Sequence, residues 1–361
     1  METIFISTSI PGRARPDYFF ALAESFSRIG FRVIMILDGR SETLPTRENL
    51  MFFKWPSPRP THMKDFIFLK KLIEEYRPSA LISSFGSVNI MNICGYFSKV
   101  ENRINYILSV SEPFYQKVSY GTVLVRKFLK LRKARIYKLA TLLVCNSEGT
   151  HQDAIEYYGL QHKNFLILHN LIQKSHLEYI PQAQRKRQIL IVGNLIKRKG
   201  HRCLINQFKN ALEFFPNLKL LIVGDGIEKN DLIMQVDSLN IKHRVEFVGS
   251  VSHQKVSTYF SESLIGISAS IHEAFGFNNI EAMREGTPII STPTAGALEI
   301  LKENENGKFF TLHDADSLTG ALSRILEDWD AYSKSALNSF NDLYSLDQID
   351  SHREFIKNTF R

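Results

Sequence analysis

Residues 189–205 read ILIVGNLIKRKGHRCLI. An uninterrupted apolar run ends at Gly193, a short turn carries Lys197, Arg198 and Lys199, and Gly200 opens a stretch with helical spacing. A strand that is apolar at every position is buried on both faces, which is the condition of a parallel sheet covered by helices. Three cations at a strand-to-helix turn, on the carboxyl edge of such a sheet, suit a polyphosphate. A solvated charge run is the competing reading of the same three residues.

The same grammar extends in both directions. Downstream come LKLLIVG (218–224), RVEFVG (244–249), LIGISA (264–269) and TPIIST (287–292). Upstream come TIFIST (3–8), FRVIMIL (31–37), ALISS (80–84), INYILSV (104–110), TLLVCN (141–146) and FLILH (165–169). Helical patterns fill the gaps; in DYFFALAESFSRIG, Phe20, Ala23, Phe26 and Ser27 fall at helical spacing and Gly30 ends the run. The expected fold class is therefore α/β, as two doubly wound Rossmann-like domains facing across a cleft. The boundaries read as a first domain over 1–172, a polar, proline-bearing linker over 173–187 (QKSHLEYIPQAQRKR), and a second domain over 188–333. A helical terminal segment, 334–361, is expected to pack back on the first domain.

Length and composition agree with this division, since 361 residues with 44% hydrophobic and 23% charged is ordinary for about two globular domains. No stretch approaches the roughly 18 apolar residues of a membrane span, and METIFISTSIPGR lacks the pattern of an export signal. Cys94, Cys145 and Cys203 are odd in number, widely spaced and set in apolar surroundings, which reads as reduced thiols in a cytoplasmic protein. Positive charge is concentrated in the first half: residues 1–172 hold 23 Lys and Arg against 14 Asp and Glu, whereas 173–361 hold 22 against 23. That half is directed toward something anionic, or simply carries a well-solvated surface.

The strongest local signal is HEAFGFNNIEAMREGTPIIST (272–292). Glu273 and Glu281 stand eight positions apart, and a helix starting near Asn278 would aim its free N–H groups at a phosphate. A carboxylate beside such a site accepts bonds from hydroxyls, as on a ribose or a sugar ring. A surface loop with an acidic helix start is the plain alternative. LLIVGDG (220–226) ends a strand at Gly224 and is explained by a turn alone.

The order VGNLIKRKG, LIVGDG, VEFVGSVSHQKVSTYFSES, SIHEAFGFNNIEAM and TPTAGALEI resembles the donor domain of the retaining, two-Rossmann (GT-B) glycosyltransferases of the family 4 type, within the glycosyl transferases group 1. The resemblance covers about residues 188–315 closely and the first half collinearly. It implies a hexosyltransferase that uses a nucleotide-diphosphate sugar, with a UDP-sugar expected, and needs no metal or other cofactor. It implies that Glu273 contacts hydroxyls of the donor sugar, that Glu281 contacts the ribose, and that Lys199 neutralises the diphosphate. Lys199 and Glu273 would then carry the catalysis. The other donor-binding positions implied are Gly12, Gly193, Asn194, Arg198, Gly224, Val251 in the stretch matching the base-binding segment, and Phe275, Gly276, Phe277 and Asn278. Ser111 and Glu112 fall on the acceptor side.

The chain departs from the family pattern in four places. Asn194 stands where the family has Arg, Pro11-Gly12 where it has Gly-Gly, Ser111 or Glu112 where it often has His, and Ala295-Gly296 where it has a second Gly-Gly. The eleven His residues show neither HExxH nor HxH spacing, so no metal site is read; the string Asp314 to Asp316 reads as a helix cap.

In the first half, GTVLVRKFLKLRKARIYKLA (121–140) holds seven Lys and Arg between Arg126 and Lys138. At helical spacing Val125, Phe128, Leu129, Ile136, Leu139 and Ala140 share an apolar face, with Arg126, Lys127, Lys130 and Lys133 read as the membrane-contacting cations. An anionic membrane surface and a saccharide or lipid-linked saccharide acceptor, as in cell-surface polysaccharide or lipopolysaccharide assembly, are the expected partners, with the protein peripheral on the inner face. An ordinary core-facing helix is the alternative. No nucleic-acid motif is present, and nucleic acid is not an expected partner. A nucleotide-sugar epimerase, an inverting GT-B transferase and a non-catalytic sugar-nucleotide-binding protein are the rival functions; the lack of G-x-G-x-x-G after the first strand counts against a nicotinamide dehydrogenase.

Overall fold

The computed structural model describes residues 1–8, 14–38, 47, 49–111 and 123–360. The chain divides into two compact units, one formed by residues 1–173 with the stretch from Leu346 onward, the other by Lys174–Ser345.

The first unit is built on a parallel sheet of seven strands, β1 (Thr3–Thr8), β2 (Arg32–Leu37), β3 (Leu50–Lys54), β4 (Ala80–Ser83), β5 (Asn102–Ile107), β6 (Leu142–Cys145) and β7 (Phe165–Ile167). They lie in the order β3-β2-β1-β4-β5-β6-β7. Side chains alternate between faces along a strand, and both faces are covered. Ile4 and Ile6 pack on Phe19, Phe26, Leu346 and Ile356, while Phe5, Ile34 and Ile36 pack on Leu69, Ile73 and Met91 on the other side. That two-sided burial is why β1 and β2 read as continuous apolar runs. The six strands expected from the sequence all form, and β3 is an addition. It lies at the sheet edge, where Leu50 is buried but Met51 is 38% exposed, and an aromatic run flanked by prolines gives no clear period.

The second unit holds six parallel strands, β8 (Lys186–Val192), β9 (Lys219–Val223), β10 (Val245–Gly249), β11 (Ser263–Ser268), β12 (Ile289–Ser291) and β13 (Gly307–Phe309). Their order is β10-β9-β8-β11-β12-β13. Ile189, Ile191, Leu220, Ile222, Ile265 and Ile267 form one core with Leu204 and Phe208 of the helix His201–Phe214 and with Leu322 and Trp329. Strand β13 went unread because it is three residues long, at an edge, with Lys308 at its centre.

The segment expected to be a linker, 173–187, is folded onto the second unit from Lys174 on. Arg185 explains this. The residue is 5% exposed, and its guanidinium donates to the carbonyls of Ile180, Ser263 and Glu285 and to Thr287 Oγ1 and lies against the rings of Tyr179 and Trp329. A buried guanidinium with every side of its fork bonded fixes the backbone around it. The terminal helical segment is likewise divided. The helix Trp329–Leu343 belongs to the second unit, and Ile349–Lys357 to the first. There Arg353 donates to the Ser25 carbonyl and His352 Nδ1 lies 3.0 Å from the Tyr18 hydroxyl.

Candidate active site

In the second sheet β8 is flanked by β9 on one side and β11 on the other. The chain leaves β8 toward β9 and β10, then returns to the opposite side as β11. This reversal makes the carboxyl ends of β8 and β11 the topological switch point of the sheet, the place where doubly wound sheets bind ligands. The loops 193–200 and 269–276 meet there. Ile271 N donates to the Arg198 carbonyl at 2.8 Å, and Arg198 Nη1 donates to the His272 carbonyl at 3.0 Å. Gly200, at φ +67°, is needed for this approach, since a Cβ on it would lie 2.0 Å from the Ala269 carbonyl oxygen.

The two loops bring opposite charges together. Lys199 Nζ lies 2.5 Å from Glu273 Oε2, Arg198 Nη1 lies 3.9 Å from the same oxygen, and Ser270 Oγ donates to it at 3.3 Å. The Lys199 and Glu273 side chains are only 17% and 24% exposed, so the pair is partly shielded from solvent screening. Gly276 leads into the helix Phe277–Arg284, and Asn278 Nδ2 bonds the Val192 carbonyl, which ties the start of that helix to the end of β8. Gly193, Asn194, Arg198, Lys199, Glu273, Gly276 and Asn278 are thus gathered at one point of the sheet edge. The first-turn N–H groups of the helix provide positive partial charge beside two cations.

The remaining expected positions sit less directly. Glu281 is 5% exposed, with Oε1 3.4 Å from His253 Nδ1. Val251 follows β10, two strands away from β8 in the sheet. Phe275 is 2% exposed and packs edge-on against Phe277 and Tyr344, as a core residue does. Gly224 packs on the neighbouring turn, since a Cβ there would fall 1.9 Å from the Gly193 carbonyl oxygen. Asp225 accepts from Gly226 N at 2.7 Å and pairs with Lys229, bonds that hold its carboxyl below the usual range and close a turn. Gly12 and Glu112 lie outside the described residues.

His201 was not singled out from the sequence, although it directly follows Lys199-Gly200. It is 1% exposed, and neither ring nitrogen has a hydrogen-bond partner. Burial, with the Lys199 charge nearby, pushes its imidazole down to about 4. It is a neutral ring seated behind the cationic turn.

In the first unit Ser111 is 4% exposed, and its hydroxyl and N–H both donate to Asp153 Oδ2, at 2.6 and 3.0 Å. Asp153, on the helix Glu148–Tyr158, had no sequence signal. The basic helix forms over Val123–Lys138, but its faces differ from expectation. Lys133 donates to Asn89 Oδ1 at 3.2 Å and lies over the Tyr137 ring; burial pulls its ammonium down to about 8. Lys130 lies over the Tyr157 ring. These two cations therefore turn toward protein. The outer face instead presents Val125, Phe128 and Leu131, at 43%, 63% and 56% exposure, beside exposed Arg126, Lys127, Arg132 and Arg135. Among the described residues no cluster of His, Cys, Asp and Glu is arranged to hold a metal, and no helix is long and apolar enough to cross a membrane.

Fold and site define a two-Rossmann α/β protein whose second unit gathers Lys199, Arg198 and Glu273 at its topological switch point. Residues 174–340 match the model of the family Glycosyl transferases group 1. The chain is 29% identical over 206 residues to an uncharacterized glycosyltransferase of Methanocaldococcus jannaschii, covering 56% of this chain and 52% of that one. It is 29% identical over 251 residues to N-acetylgalactosamine-N,N'-diacetylbacillosaminyl-diphospho-undecaprenol 4-alpha-N-acetylgalactosaminyltransferase of Campylobacter jejuni, covering 63% of this chain and 66% of the relative. The chain thus spans between half and two-thirds of the length of these curated relatives. Among solved structures, Anabaena HepE in complex with UDP aligns with a TM-score of 0.76 at 16% identity, over 99% of this chain and 100% of that one. Sucrose-phosphate synthase of Thermosynechococcus elongatus aligns at 0.75 with 18% identity, over 99% and 98%. The fold is that of the GT-B glycosyltransferases.

Proposed function

We propose that the protein is a retaining glycosyltransferase of the family 4 type, which moves a hexosyl group from a UDP-sugar to a hydroxyl of a lipid-linked saccharide during polysaccharide or lipopolysaccharide assembly. The observation that carries this reading is the meeting of Lys199, Arg198 and Glu273 at the switch point of a unit that matches the group 1 family. Breaking the bond from the anomeric carbon to the diphosphate leaves negative charge on the β-phosphate. Lys199, Arg198 and the first-turn N–H groups of the helix Phe277–Arg284 are the groups aimed to stabilise it. The acceptor oxygen bonds the anomeric carbon on the face the diphosphate leaves, and the acceptor proton passes to the departing phosphate oxygen. No enzyme base is needed, which accommodates Ser111 where the family often has His. Protein cations hold the diphosphate, so the proposed reaction uses no metal and proceeds in a chelator.

Glu273 receives hydroxyls of the sugar and Glu281 those of the ribose in this reading. The acceptor assignment draws on relatives named for undecaprenol-linked and phosphatidylinositol acceptors and on the apolar and cationic face of the helix Val123–Lys138. We place the protein on the inner face of an anionic membrane, held peripherally by that face. Thermal stabilisation by a panel of UDP-, GDP- and ADP-sugars is the first test, because saturation at about 100 times the dissociation constant adds roughly 2.7 kcal/mol. A panel in which nothing raises the melting temperature would remove the donor assignment. Product stereochemistry by NMR then separates retention from inversion.

A further inference from the structure

We propose that Glu273 makes the site prefer an intact nucleotide sugar over the nucleoside diphosphate left after transfer, by weakening the hold of Lys199 on the bare diphosphate. The inference rests on the donor-site reading above and assigns a role to the ion pair itself.

The two oxygens of Glu273 are used unequally. Oε2 takes the Lys199 ammonium at 2.5 Å, the Ser270 hydroxyl at 3.3 Å and the field of Arg198 at 3.9 Å. No protein group bonds Oε1 among the described residues. A phosphate arriving at Lys199 therefore meets a cation already engaged by a carboxylate, and meets that carboxylate's own negative charge at close range. Like charges a few ångströms apart at a half-shielded site repel each other. The repulsion acts on every diphosphate ligand. A sugar hydroxyl offsets it, because the hydroxyl donates to Oε1, and a charged acceptor makes a stronger bond than a neutral one. An intact donor carries such a hydroxyl; the released nucleotide does not. The same carboxylate thus penalises the product and rewards the substrate, which favours product departure after each turnover.

Glu273→Gln tests this, because the amide keeps the shape of the side chain and can still accept from Lys199 while the charge is lost. Calorimetry with UDP should show the variant binding about five-fold more tightly than wild type at low salt, with the gap closing as added salt screens the charge. UDP-glucose should gain less, so the preference for donor over product shrinks and inhibition by UDP deepens. In a Lys199→Ala background the same substitution should still tighten UDP binding, because the carboxylate's repulsion of the phosphate persists without the lysine. Unchanged or weaker UDP binding by Glu273→Gln, in a variant with wild-type melting, would overturn the proposal. If wild-type protein binds neither UDP nor UDP-glucose, the donor-site reading falls instead, and the two failures are separable.

Discussion

Lys199 joins the proposed nucleotide site to the fold, since its backbone closes the turn ahead of Gly200 while its ammonium faces Glu273. Lys199→Ala should weaken UDP binding by about 2 to 4 kcal/mol and slow transfer, because a partly buried diphosphate loses its nearest cation. Titration calorimetry and initial rates check this, and unchanged values in a folded variant would remove Lys199 from the site. Glu281→Gln should weaken UDP and UDP-sugar by the same factor, as befits a ribose partner; a larger loss for the sugar nucleotide would move Glu281 toward the sugar. Both positions stand out in the sequence because each sits at a fixed distance from a strand end within one loop and helix. Ser111 with Asp153, and the unpartnered ring of His201, do not. The first is a contact between elements 42 positions apart, and the second depends on what surrounds a side chain rather than on spacing.

Among the elements, the helix Val123–Lys138 shows where sequence periodicity stops being informative. Its cations spread round the whole circumference, so the pattern alone does not say which side meets the protein. Tyr137, Tyr157 and Asn89 decide that by taking Lys133 and Lys130. The docking test must therefore alter the outer face. Phe128→Ser with Arg132→Gln and Arg135→Gln should release the protein from vesicles rich in anionic lipid, each cation contributing about 1 kcal/mol near the surface, without changing UDP affinity. Lys133→Met should leave sedimentation with those vesicles unchanged. Wild-type protein that stays in the supernatant at low salt would end the membrane assignment. The strands tell a similar story. Those covered on both faces were readable as apolar runs, whereas β3 and β13, at sheet edges, had no such constraint to leave a trace.

For the whole molecule, each unit contains one histidine that burial holds neutral. His201 in the second and His352 in the first are both pushed from 6.5 down to about 4, the latter by burial and by His169 nearby. Unfolded chain takes up these protons near pH 6.5 and folded chain only near pH 4, so unfolding gains protons between those values. Stability should be level above pH 6.5 with respect to these groups, fall as pH drops toward 4, and level again below it, with up to about 3 kcal/mol lost per histidine. Urea midpoints across that range, for wild type and for His352→Gln and His201→Asn, measure it; a loss as steep in both variants as in wild type would assign the acid sensitivity to other groups.

The stretch from Leu346 completes the core of the first unit through Leu346, Ile349 and Ile356. On the ribosome those residues emerge after the entire second unit, so the first unit waits for its last helix while the segment Lys174–Ser345 is made. At about 5 to 20 residues per second that delay is on the order of ten to thirty seconds. During it Phe26 and Ile4, which the helix Ile349–Lys357 helps to cover, lack part of their cover. The unit made first is therefore the one finished last, and translation speed across the second half sets how long a nascent chain exposes that surface to chaperones or to a neighbouring copy of itself.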